Sequence, residues 1–305
     1  MDIQLASVIV GFATGMVTGA LVTYFRHWLA RRREREGREF AEAQEKERVR
    51  RDHYERALRY QRNRESLRGC DLAGQDLAGL HLAKADLQGA SLNRADLSSA
   101  NLEEANLIGA HLQEANLQDA NLKKAALGDA DLQQAVLAGA NLQGADLGGT
   151  NLQGANLAGA HLRGASLPWA SLQEANLEGA NLKGADLRTA NLQHANLVGS
   201  NLEGADLTEA RFQAANLRHT NLKEAKLAKA SLQNANLQDA SFKEADLWKV
   251  NLEGANLQDS SLQGANLREA NLHSAKLKGA RLRKAKLDDS TAMPKGWEEI
   301  VGSRP

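Results

Sequence analysis

Residues 140–149 read Ala-Asn-Leu-Gln-Gly-Ala-Asp-Leu-Gly-Gly, two units of a five-residue pattern whose extent decides the fold. From Leu67 to Leu287 every fifth residue is Leu, except Phe212 and Phe242, which makes 45 consecutive repeats. Two residues before each lies a second register. Between Ala85 and Ala285 it has 41 members, 36 of them Ala; the others are Thr150, Ser200, Thr220, Val250 and Ser260. The position between the two is mostly Asn, Asp, Ser or His. The remaining two vary freely and are polar or Gly.

A period of five matches neither the 3.6 of a helix nor the 2.0 of a strand. It requires a turn every five residues, with one large and one small side chain pointing inward at each. Leu fills the interior, and Ala is what a tight corner admits. Asn and Asp beside it suit turns, because their side chains bond nearby backbone groups.

The pattern resembles the motif A-[DN]-L-x-x of the pentapeptide-repeat family. Ala140-Asn141-Leu142-Gln143-Gly144 matches it outright, and the match covers about three quarters of the chain. The resemblance implies an all-β fold, a right-handed quadrilateral β-helix with four repeats per coil. On that basis residues 65–290 form about eleven coils, roughly 54 Å at ~4.8 Å per stacked strand. A 20-residue period is visible independently. Gln113, Gln133, Gln153, Gln173, Gln193, Gln213 and Gln233 recur at that spacing in the same outward position, where stacked amides are expected to bond to one another. Another side carries Lys123, Lys124, Arg163, Lys183, Lys223, Lys243, Arg281, Arg283 and Lys284, diluted by Glu103, Glu104, Glu203, Glu224 and Glu244. A third is small, with Ala138-Gly139 and Ala158-Gly159, and the fourth bears Trp169 and Trp248. The first coil breaks the Ala rule with Glu65, Cys70, Gln75 and Leu80, as a capping repeat should. Residues 291–305 leave the pattern and are expected to cap the other end, with Trp297 across the last coil.

Two segments precede the repeats. In residues 1–25, the stretch Ile3 to Phe25 is charge-free and apolar apart from Gln4, long enough for a bilayer core of ~30 Å. Cations follow it at Arg26 and Arg31 to Arg33. The positive-inside rule then places the N-terminus outside and the solenoid on the cytoplasmic side of a single-pass membrane protein, with lipid contacted through this helix. Ser7, Gly11, Gly15, Gly19 and Thr23 form a stripe of small residues suited to close helix association, which predicts a homo-oligomer. Residues 26–64 hold no Pro and one Gly. Their acid-before-base pairs at i,i+4 (Glu34/Arg38, Glu42/Lys46, Glu47/Arg51, Asp52/Arg56, Glu55/Arg59) predict a charged helical stalk.

No residue pattern here reads as an active site. The histidines show no metal-ligand spacing with a Cys or carboxylate partner, and the lone Cys70 has no basic neighbours. No cofactor is expected. The formal net charge is zero, with 14 Lys and Arg against 10 Asp and Glu in residues 1–65 and 24 against 28 in the rest. That balance suits neither nucleic-acid binding nor its mimicry. The expectation is a non-enzymatic, membrane-tethered scaffold whose partners are proteins. They would meet it on the Gln column, on the Ala/Gly side, or at Trp169 and Trp248. The family resemblance also implies an alternative, a DNA-mimicking rod that binds topoisomerase.

Overall fold

The computed structural model describes residues 19–301 and divides the chain into two units after Asp52. Helix α1 spans Gly19–Asn63 and continues through Gly37 without a break. Of the paired charges expected from the sequence, Glu55 and Arg59 meet at 3.6 Å; Arg32–Glu36 and Glu45–Arg48 add pairs at 2.8 and 2.6 Å. Among the described residues no helix is long and apolar enough to cross a membrane. Most of the expected anchor, including Ser7, Gly11 and Gly15, lies outside them, while Gly19 and Thr23 fall in the first turns of α1.

The second unit, from His53 onward, is the repeat domain. Residue i pairs in parallel with residue i + 20 without interruption from Asp71↔Ser91 to Asn266↔Lys286, so one coil is 20 residues and has four sides. Both inward registers are sealed from solvent. Nearly every Leu and Ala of the repeats is buried, and Phe212 and Phe242 lie fully inside with the leucines.

The donors of one repeat show why five residues suffice. Asn141 N–H donates to Ala120 O (2.9 Å) in the preceding coil. Leu142 and Gly144 N–H donate to His161 O (2.8 Å) and Arg163 O (3.1 Å) in the next. Ala145 N–H closes the turn on Leu142 O (3.0 Å). This leaves the N–H of Gln143, which the Asn141 side-chain Oδ1 accepts at 3.2 Å. All backbone donors are thereby engaged, as a buried backbone demands, and the Asn/Asp register is explained.

Each corner residue, from Gly69 to Lys284, has φ between +55° and +75°, the third position of a type II turn. Gly is natural there, yet more than half of these corners carry another residue, Trp169 and Lys249 among them.

Both ends depart from the repeat. At the start, Ala57 and Tyr60 of α1 join the core (2% and 4% exposed), and His53 Nδ1 accepts the N–H of Asp71 at 3.0 Å. That amide begins the ladder and has no earlier coil to bond. At the finish the register slips by one residue, to Asn271↔Ala292. The Asp288 side chain takes the Glu269 N–H (3.0 Å) that a backbone carbonyl takes in earlier coils. Helix α2 (Trp297–Val301) follows, with Met293 and Trp297 packed on the core.

Candidate partner-binding faces

The Gln column stands on one side of the solenoid, in successive coils. Glu114 N–H bonds Gln133 O and Gln134 N–H bonds Gln153 O, both at 2.9 Å, so the backbones carrying these side chains are stacked neighbours. The amides do not form the expected chain. Only Gln133 Nε2–H reaches Gln153 Oε1, at 3.4 Å; Gln113 turns to Asp131 (2.6 Å) and Gln193 accepts from Arg211 (3.2 Å). The Oε1 atoms of Gln113, Gln173, Gln213 and Gln233 are buried without a hydrogen-bond partner. An amide ladder does exist, on the inner Asn register. Asn141 donates to Asn121 (3.3 Å), and Asn121 to Asn101 (3.2 Å). The shorter side chain is held at the turn and stacks directly. The longer Gln splays toward whichever acceptor or donor is nearest.

Trp169 and Trp248 share a side, linked by the bridges Ser166↔Asp186, Asp186↔Asp206, Asp206↔Lys226 and Lys226↔Asp246. Their surroundings differ. Trp169 occupies a positive-φ corner and is 70% exposed. Trp248 sits one position earlier in its repeat, beneath Lys249 Nζ (4.4 Å from the ring centroid), and its indole N–H donates to Glu269 (3.0 Å). The Lys249 ammonium at 3.0 Å and that indole bond hold the Glu269 carboxyl below its ordinary range. The Trp248 indole is engaged, whereas that of Trp169 is exposed and in no hydrogen bond with another described residue.

The side expected to be basic is neutralised in part, at Lys123, Lys124, Lys183 and Lys223, while Arg163, Lys243, Arg281, Arg283 and Lys284 are in no ion pair among the described residues. Lys84 and Lys124 flank Glu104 (3.5 and 4.0 Å), Lys123 lies 3.9 Å from Glu103, Lys183 meets Glu203 at 3.0 Å, and Lys223 meets Glu224 at 3.2 Å. The Glu203 carboxyl is lowered by Lys183 accordingly. Arg94 and Glu114 do the same on the Gln side, with two contacts of 2.9 Å and the Glu114 carboxyl lowered. These pairs are exposed, so each contributes little to stability. Among the described residues no group of His, Cys, Asp or Glu is arranged to hold a metal ion. Cys70 is buried at the first corner.

The pentapeptide-repeat family model matches in 8 copies, in overlapping segments that run from 66–103 to 251–289. This chain is a pentapeptide-repeat protein. Proteins of this family fold as right-handed quadrilateral β-helices, in keeping with the 20-residue coil. Among solved structures, this pentapeptide-repeat protein is similar to HetL, a pentapeptide-repeat protein involved in heterocyst differentiation regulation from the cyanobacterium Nostoc sp. strain PCC 7120. The identity is 36% over 66% of this chain and 88% of that one, with a TM-score of 0.48. It also resembles Rfr23 from the cyanobacterium Cyanothece 51142 (38% identity, 34% and 63% covered, TM-score 0.16). QnrB1, a plasmid-mediated fluoroquinolone resistance protein, is more distant, at 21% identity with 52% and 85% covered and a TM-score of 0.31. No curated protein matches the chain.

Proposed function

We propose that this pentapeptide-repeat protein is a non-catalytic rod for protein interaction, tethered to a membrane through Ile3 to Phe25. The observation that carries the interaction reading is a division of labour within the repeat. Inward side chains and the Asn/Asp register account for the core and for the backbone donors, so the outward position before the positive-φ corner has no side-chain duty in the fold. Gln nevertheless recurs in one outward column through seven successive coils. A recurrence that the fold does not require is a surface kept for something else. Flat stacked sides of this kind bind by shape and by matched polar groups, as other solenoids do. The tether rests on the charge-free run followed by Arg26 and Arg31 to Arg33.

Two measurements test this reading. Photo-crosslinking residues placed at Gln153 and Trp169 in the intact cell are expected to trap discrete protein adducts. A ladder no different from that of a residue placed at Gly37 would defeat the interaction reading. Alkaline extraction of membranes is expected to leave the full chain in the pellet and to release a chain lacking residues 3–25. Equal release of both would remove the tether while leaving the rod intact.

A further inference from the structure

The last full coil differs from all others in charge. Between residues 276 and 286 stand Lys276, Lys278, Arg281, Arg283, Lys284 and Lys286, with no carboxylate among them. All six are exposed, and they occupy three of the four sides. Elsewhere in the solenoid, Lys84, Arg94, Lys123, Lys124, Lys183, Arg188, Lys223, Lys226, Lys229 and Lys249 each lie within 4.0 Å of a carboxylate, while Arg68, Arg163, Arg211, Arg218, Lys243 and Arg268 are in no ion pair among the described residues but are scattered along its length. None of the six in the last full coil is in an ion pair with another described residue.

The same coil gives up a structural bond to carry these charges. At Asn271 the side-chain oxygen accepts the N–H of His273 (3.0 Å), the standard arrangement of the repeat. Lys276, Arg281 and Lys286 occupy that register in the next three repeats, and neither Lys nor Arg has an acceptor to offer. Three consecutive replacements of a turn-supporting residue by a cation, in a coil that gathers six unpaired cations, serve no purpose in the fold.

The shape of the positive band selects its ligand. It is one coil deep, about 4.8 Å. Glu253, Asp259 and Glu269 lie in the coil before it, and Asp288, Asp289, Glu298 and Glu299 in the segment after it. A flat anionic membrane pressed on the end of the solenoid would meet the second set of carboxylates. A nucleic-acid duplex, far wider than the band, would lay phosphates over both sets. A single extended polypeptide fits, because it is as wide as one strand spacing and presents side chains alternately.

We propose that the collar formed by Lys276, Lys278, Arg281, Arg283, Lys284 and Lys286 docks an extended Asp/Glu-rich segment of a partner protein. This rests on the reading of the chain as a protein-interaction rod, but it fails separately from it, since Gln153 and Trp169 stand in coils well before the collar, although Lys286 shares a side with Trp169. The test titrates a fluorescent ten-residue glutamate peptide against the full-length protein in neutral detergent. Single-stranded oligonucleotide and phosphatidylserine vesicles serve as parallel probes. Saturable binding of the peptide is expected, weakening steeply with salt. Charge reversal at Lys276→Glu, Arg281→Glu and Lys286→Glu together is expected to weaken it by roughly tenfold or more. The milder set Lys276→Asn, Arg281→Asn and Lys286→Asn restores the turn acceptor, so it keeps the fold while removing charge, and should weaken binding in the same direction. Reversal of the paired Lys183 should leave binding unchanged. Absence of peptide binding, an equal loss in the Lys183→Glu control, or tighter collar-dependent binding of oligonucleotide or vesicle would overturn the proposal. Crosslinked partners at Gln153 or Trp169 with no collar binding would leave the rod standing and the collar refuted.

Discussion

The Thr220 hydroxyl reaches back one coil to donate to the Leu197 carbonyl at 3.0 Å. The same oxygen already accepts the Ser200 N–H at 3.1 Å, so both of its lone pairs are taken. Other hydroxyls in this register bond the carbonyl of their own turn, Thr150 to Leu147 and Ser260 to Leu257, each at 2.7 Å. The Ser200 hydroxyl is displaced from that bond and is buried without a partner. Ser200→Ala should therefore stabilise the solenoid, by about 1 kcal/mol, because an unsatisfied buried polar group is removed. In a Thr220→Ala background the Leu197 carbonyl is free again, and the same substitution should lose stability or be neutral. A double-mutant cycle by urea unfolding measures the change of sign; simple additivity would show that the two hydroxyls do not compete.

The corners give a paired prediction. Ala214 has φ of +57°, and Gly159 has φ of +66° with open space where a Cβ would stand. A left-handed conformation costs an L-residue about 1–2 kcal/mol, and Gly gives back about 0.5–1 through the entropy of the unfolded chain. Ala214→Gly should gain a few tenths to about 1 kcal/mol, and Gly159→Ala should lose a similar amount. Hydrogen exchange in the neighbouring coils locates both effects, since interactions in a solenoid pass between nearest neighbours.

Inside the bore, Leu142 and Ala160 are fully buried. Leu142→Ala should cost about 2–5 kcal/mol through lost transfer energy and a cavity. Ala160→Leu should cost about 1–3 kcal/mol or more, because the corner has no room for added methylenes. Equilibrium unfolding measures both. A tolerated Leu at position 160 would mean that the corner is looser than its burial indicates.

Asp288 sets the response of the C-terminal cap to acid. Its carboxyl is lowered chiefly by the Glu269 N–H it accepts, then by its bonds to Thr291 and the Ser290 N–H. The sign follows. A carboxyl lowered in the folded state adds stability that is fully present above the ordinary aspartate range and is lost as pH falls through the lowered value. The amides of residues 288–301 should be less protected, relative to the intrinsic exchange rate at each pH, below about pH 4 than at pH 7. Asp288→Asn keeps an acceptor and should flatten that dependence. An unchanged acid response in this variant would assign the effect to other carboxylates.

The five-residue pattern showed the inside of the solenoid completely, because Leu and Ala there answer to one geometry. It also showed the four-sided coil, through the spacing of Gln113 and Gln133. The positive-φ corner was hidden, since residues as different as Trp169, Lys229 and Glu244 occupy it and only the frequent Gly hinted at it. The amide ladder was expected on Gln and lies on Asn, because sequence spacing fixes the column but not the reach of a side chain. The partial neutralisation of the basic side was likewise invisible until Lys183 and Glu203, 20 residues apart, could be seen in contact. The collar escapes notice for the opposite reason, as its cations are adjacent in sequence yet spread over three sides.

The uniform coil makes length and orientation separable. Five residues inserted after Gly199 would leave every inward contact downstream in kind unchanged, yet turn the remainder of the rod by a quarter revolution. Trp248 would then look out ninety degrees away from Trp169, and the collar would move round with it. Twenty residues inserted at the same point would restore the bearing and only lengthen the shaft. A lineage of such chains can adjust which directions its surfaces point, in right-angle steps, without redesigning its interior.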